Sequence, residues 1–129
     1  YLGLFETAIN QDEIVIGIKY PLLKQEQAIL FDEVCRRHGD YAMAGLIANV
    51  NKTGSKVNDL SLVYFATGDK PDSADKTAKL YLENGYDYSN LKNSLSSEID
   101  FAGDLNSSSE MKLHLATILI KKVLNQLEA

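Results

Sequence analysis

The chain has 129 residues, 45% of them hydrophobic and 24% charged, enough for one domain that buries roughly two-thirds of the surface its unfolded chain exposes. Thirteen Lys and Arg against 18 Asp and Glu give a formal charge of -5, which argues against nonspecific nucleic-acid binding, since that draws its affinity from cations on phosphate. A single cysteine, Cys35, excludes an intramolecular disulfide or a cysteine-rich metal site and fits a reducing, cytoplasmic setting.

The longest apolar run falls far short of the ~20 residues a membrane helix needs, and no signal peptide is visible. The chain begins at Tyr1, not at methionine, and enters patterned sequence at once. We therefore expect residues 1–129 to be a single domain cut from a larger polypeptide.

In chain order, residues 12–20, DEIVIGIKY, place Ile14, Ile16, Ile18 and Tyr20 on one face by strict alternation, which predicts a strand. Pro21 closes it, because proline cannot donate to a ladder. Ala28–Cys35 and Tyr41–Val50 are expected as the second and third strands, joined by the charged stretch CRRHGDYA. NKTGSK, residues 51–56, reads as a turn with Gly54 at positive φ, and residues 57–66 as a fourth strand. Ala42, Ala44, Leu46, Ala48 and Val50 alternate against Leu60, Leu62, Tyr64 and Ala66. This half is predicted to be an antiparallel meander.

From Ser73 the period lengthens. Ala74, Ala78, Tyr81 and Leu82 fall at helical spacing, with Gly85 as a stop, and Leu91, Leu95 and Ile99 repeat the pattern more weakly. Ser107 with Glu110 three residues on has the form of a capping box. It would open a helix over Met111–Leu127 whose Leu115, Ile118, Leu119 and Leu127 need a surface to pack on. Strands first and helices after imply an α+β domain, a two-layer fold with helices on one face of an antiparallel sheet.

The chemistry-bearing residues do not assemble into an enzyme of their own. The two histidines are His38, in the charged turn, and His114, inside the last helix. Cys35 is three residues from His38, but side chains at a strand end diverge, so we read a half-buried, inert thiol. His114 has no acidic or nucleophilic partner at helical spacing and reads as a partly buried or interface residue. No metal spacing and no glycine-rich phosphate loop occurs. The carboxylates of DKPD and DFAGD read as loop and cap residues. No catalytic residue and no metal ligand is assigned.

ETAINQDEIVIGIKYP, FDEVCRRHGDYAMAG and HLATILIKKVL, in that order, resemble the C-terminal domain of the FAD-binding (medium) subunit of the carbon monoxide dehydrogenase and xanthine dehydrogenase family of molybdenum hydroxylases. The resemblance runs over essentially the whole chain and is most specific around Arg36, Arg37, Gly39, Asp40 and Ala42. FDEV before the arginines is closer to the carbon monoxide dehydrogenase branch.

The resemblance implies a piece of a multi-subunit oxidoreductase. FAD is held mainly by preceding domains with glycine-rich loops, missing here, while this domain covers the isoalloxazine region. It also helps dock a small iron–sulfur subunit and a large subunit carrying molybdopterin. Substrate is hydroxylated at molybdenum, and electrons reach FAD through the iron–sulfur clusters. Two flavin contacts map onto Val15 and Asp32. Val15 keeps the apolar character of its position and lies opposite Ile14, Ile16 and Ile18. Asp32 departs from the lysine of the xanthine dehydrogenase branch and can only accept hydrogen bonds when ionised. GDKPDSAD departs too, where many relatives have a proline followed by valine and arginine.

Two readings of the turn follow. By itself, RRHGD is a charged hairpin turn with Gly39 supplying the backbone conformation. With the resemblance, Arg36, Arg37 and Asp40 border the flavin or a subunit interface, where the planar guanidinium pairs with carboxylates. The alternative to a flavoprotein domain is a stand-alone α+β adaptor or dimerisation module. They differ in the reading frame upstream of Tyr1, where the first expects about 170 residues with paired glycine-rich loops.

Overall fold

The computed structural model describes residues 2–54 and 56–127. Within them lie four strands: β1 (Gln27–Cys35), β2 (Ala42–Thr53), β3 (Lys56–Phe65) and the two-residue β4 (Asp72–Ser73). Three helices follow, α1 (Asp75–Asn84), α2 (Tyr88–Glu98) and α3 (Ser109–Leu124), and a 3-10 turn over Asn125–Leu127. The strands form one antiparallel sheet in the order β1-β2-β3-β4.

Alternation sets the register as the sequence predicts. Val50 faces Leu60, Ala48 faces Leu62 and Leu46 faces Tyr64, and all six are buried in one cluster. These side chains share the sheet face that α1 and α3 cover, and Ala78, Leu91, Leu95, Leu119, Ile120 and Val123 close the core from the helical side. Tyr64 crosses the layers: its buried hydroxyl donates to the Ala116 carbonyl of α3 at 3.0 Å. Burial pushes that phenol well above its ordinary value. The sheet's other face is half open. There Phe31 and Phe65 stack with ring centroids 5.8 Å apart, and any Cβ on Gly45 would collide with the Phe65 ring.

Several expectations need correction. Residues 12–20 form no strand: Asp12 lies in a turn, residues 13–20 take no regular secondary structure, and Ile14, Ile16, Ile18 and Tyr20 are 71–98% exposed. Alternation supplies a face, but a strand also needs a ladder partner, and none stands beside this segment among the described residues. The fourth strand of the sheet is instead β4, too short to leave a periodic signal. β3 stops at Phe65 because Ala66 takes φ 60. Gly54 has the expected φ of 59, though β2 extends to Thr53 and shortens the turn; Ser55 of that turn lies outside the described residues. Leu82 is 37% and Ile118 40% exposed, so the packing surfaces of α1 and α3 are narrower than their periodicity suggests.

The cap of α3 is Ser108, not Ser107: the Ser108 hydroxyl accepts from Met111 N at 3.2 Å. Ser107 is drawn into the loop before it, because the Asp104 carboxylate takes the amides of Asn106 and Ser107 at 2.7 and 2.9 Å. The N-terminus of α1 has no cap of its own. Glu98, at the end of α2, supplies one, accepting from Lys76 N, Thr77 N and the Thr77 hydroxyl at 2.8, 3.1 and 3.0 Å. A carboxylate there also meets the positive end of the helix dipole.

Candidate functional site

The charged stretch is a six-residue loop, Arg36–Tyr41, between β1 and β2, and every residue in it is exposed. The register shifts between Val34 and Cys35, and such a bulge bends a hairpin end. Gly39 at φ 84 carries the turn where a side chain would strain it. Asp40 N donates to the Arg37 carbonyl at 3.1 Å, and the Asp40 carboxylate accepts from Tyr41 N at 3.0 Å. Asp40 therefore builds the turn.

The two arginines divide. Arg36 Nη1 donates to Asn106 Oδ1 at 2.8 Å, which ties the hairpin to the loop between α2 and α3. That loop is itself anchored. Asp104 organises it through the two amides and pairs with Lys112 Nζ at 2.7 Å. Lys112, only 4% exposed, also donates to the Ala66 carbonyl at 2.7 Å. The Lys112 ammonium, then the Asn106 amide, hold the Asp104 carboxyl below its ordinary range. Arg37, by contrast, has no ion-pair partner among the described residues, so its guanidinium faces outward with its donors available.

Asp32 is already engaged. Its carboxylate receives Lys122 Nζ of α3 at 2.9 and 3.0 Å and the Glu33 amide at 2.8 Å. The side chain lies on the helix-covered face of β1, between Leu30 and Val34. Val15 is 58% exposed on the unpaired N-terminal segment, so its neighbours Ile14 and Ile16 are no more buried than it is. The structure joins Arg36 to the α2–α3 loop and Asp32 to α3, while Val15 lies on the exposed N-terminal segment. A cleft of about 400 Å3 lined by Leu2, Gly68, Lys70, Glu98, Asp100 and Ala102, among others, contains none of the five candidate residues.

Asn106 and Lys122 were invisible to sequence reasoning because they meet their partners across 70 and 90 residues, and Lys112 because it joins Asp104 to a carbonyl 46 residues away. Of the two readings of His114, partial burial does not hold. His114 is exposed and has a partner on another helix, the Tyr88 hydroxyl, 2.6 Å from Nδ1. Cys35 is half-buried, as expected. Among the described residues no cluster of three potential metal ligands occurs, and no helix is long and apolar enough to cross a membrane.

Comparison with known proteins converges on one group. The profile of the CO dehydrogenase flavoprotein C-terminal domain matches residues 29–127. The chain is 26% identical to the glyceraldehyde dehydrogenase medium chain of Sulfolobus acidocaldarius, over 98% of its own length and 46% of that protein. It is 26% identical over 62 residues to the carbon monoxide dehydrogenase medium chain of Hydrogenophaga pseudoflava, covering 48% of this chain and 22% of that one. In fold it superposes on a chain of the reconstituted CO dehydrogenase from Oligotropha carboxidovorans with a TM-score of 0.84 and 19% identity, over 99% of this chain and 46% of that one. The chain thus spans about half the length of relatives it matches from end to end.

Proposed function

The chain belongs to the CO dehydrogenase flavoprotein C-terminal domain family, and from that premise we propose that it serves as the C-terminal domain of the flavoprotein subunit of a cytoplasmic molybdenum hydroxylase. It covers the FAD that the preceding domains hold and helps dock the iron–sulfur and molybdopterin subunits. The observation that carries this reading is the family match, which runs unbroken through the arginine hairpin and all three helices.

The residues present suit a cover and not a grip. The candidate site offers guanidinium donors at Arg36 and Arg37 and an apolar side chain at Val15, but no cluster of backbone amides to hold a pyrophosphate. When bound, FAD supplies the redox centre that takes electrons from the iron–sulfur clusters. Arg36, clamped by Asn106, fixes the direction of the loop. Arg37 presents free donors to a carboxylate of the preceding domain or a partner subunit. Asp32, the position that the resemblance sets near the flavin, is half of an ion pair with Lys122, so in this reading it presents little net charge to the ring. The adaptor alternative has no observation in its favour.

Replacing Arg36 and Arg37 together by alanine in the full-length subunit tests the reading. Assembly with the partner subunits, or the rate of flavin reduction by them, should fall by an order of magnitude or more while the melting temperature holds. Normal assembly and normal flavin reduction would leave the loop a solvated turn.

A further inference from the structure

Every residue from Leu4 to Glu26 is exposed. Inside this arm, Asp12–Tyr20 has the patterning of a half-buried strand, with Ile14, Ile16, Ile18 and Tyr20 on one side and Glu13, Val15, Gly17 and Lys19 on the other. On β2 and β3 the same alternation leads to complete burial, 0% exposure at Leu46, Ala48, Val50, Leu62 and Tyr64. Here it leads to 84, 98, 71 and 81% exposure at the four apolar positions. The backbone bonds of the arm, Leu2 N to Glu6 O, Glu6 N to Gly3 O, Glu13 N to Asn10 O, Gln27 N to Lys24 O and Lys52 N to Glu26 O, all lie outside residues 14–23. The amides of residues 14–20 donate to no group among the described residues.

We propose that Asp12–Tyr20 is a β-strand of the assembled subunit, added to an open sheet edge in the part of the polypeptide that precedes this domain in its relatives. This rests on reading the chain as the C-terminal domain of a longer flavoprotein subunit. Three isoleucines in alternation favour extended backbone, and unpaired amides together with one apolar face are what an open edge can satisfy at once. Pro21 ends the added strand, since it has no amide to donate.

The occupant is fixed by where the remaining chain lies. This chain accounts for 46% of the matched medium chain, and its family is a C-terminal domain. More than half of such a subunit therefore precedes the arm and is tethered directly to it. A tether holds an edge near the arm at a high effective concentration, which a free partner does not match. The arm then does more than link two domains: its backbone and side chains weld them. Val15, on the opposite face from the isoleucines, is left at the seam between the two parts.

Amide exchange measured on the full-length, FAD-containing subunit without its partners tests this. In an added antiparallel strand with one neighbour, alternate amides between Ile14 and Lys19 should exchange roughly 100-fold more slowly than those of Arg37–Gly39. Trypsin should leave Lys19 uncut in the native subunit and cut it in the Ile16→Asp variant. If that variant fails to fold, the native exchange pattern alone decides. Fast exchange at every amide from 14 to 19, with ready cleavage at Lys19 and normal FAD content, overturns the proposal and leaves the flavoprotein reading standing. Protection that appears only when the partner subunits are added, or that grows with subunit concentration, assigns the strand to another chain and equally overturns it. A full-length subunit without FAD would instead count against the underlying reading.

Discussion

At the scale of single residues, burial and hydrogen bonding decide what a side chain is worth. Thr67 and Thr77 are both fully buried, yet the Thr77 hydroxyl bonds Ser94 and Glu98 at 2.8 and 3.0 Å while Thr67 Oγ1 has no partner among the described residues. An isosteric change to valine removes a satisfied group in one case and a desolvated orphan in the other. Thr77→Val should cost about 1–3 kcal/mol, and Thr67→Val should be neutral or stabilising by up to about 1 kcal/mol. Urea unfolding of the two variants settles it, and equal losses would refute the distinction. Asp104 gives the pH counterpart. Its folded carboxyl lies below the ordinary 3.8, so it stabilises the fold above that value. This contribution is lost as pH falls through the lower folded value and the carboxyl takes up a proton. Asp104→Asn should therefore be less stable than the native chain at neutral pH, with the gap closing as acidification passes the ordinary value and then the lower folded one. A gap that stays constant down to acid unfolding would mean that the Lys112 pairing contributes nothing.

At the scale of elements, the helices were found by periodicity but ended by contacts. SSSE, residues 106–110 apart from Asn106, offers three serines as possible caps of α3, and spacing alone selects Ser107 through Glu110. In the folded chain Asp104 occupies the Ser107 amide, and the cap passes to Ser108. Ser108→Ala should accordingly cost about 1 kcal/mol, whereas Ser107→Ala, whose hydroxyl makes only a 3.4 Å contact with the Ser108 carbonyl, should change stability by less than about 0.5 kcal/mol. Thermal melts of the pair give the answer, and the reverse ranking would restore the capping box. The arm shows the opposite limit. Its alternation is as regular as that of β2, but periodicity reports which face would be buried, not what buries it.

At the scale of the whole molecule, the sheet carries helices on one face, and a charged hairpin with an exposed arm projects from it. The sequence holds no glycine-rich phosphate loop, so the chain by itself should bind FAD no more tightly than about the micromolar range. Titration with FAD followed by flavin fluorescence checks this, and a stoichiometric submicromolar complex would show that the domain grips the cofactor as well as covering it. The helix-side pairing of Asp32 with Lys122 and the clamp from Arg36 to Asn106 both tie the hairpin strand to the helical layer.

The sequence by itself determined the α+β class, the register of β2 against β3, the three helices, the left-handed turns at Gly39 and Gly54, and the family. All of these rest on local spacing or on a contiguous motif, where neighbours in the chain are neighbours in space. Only the tertiary structure decided the partners of Asp32, Arg36, Lys112 and His114, the true cap of α3, the borrowed cap of α1, and the unpaired state of residues 12–20. Each of these depends on which distant segment arrives at a given place. Side-chain pairing and ladder formation are properties of two segments, and one segment read alone carries only half of the information.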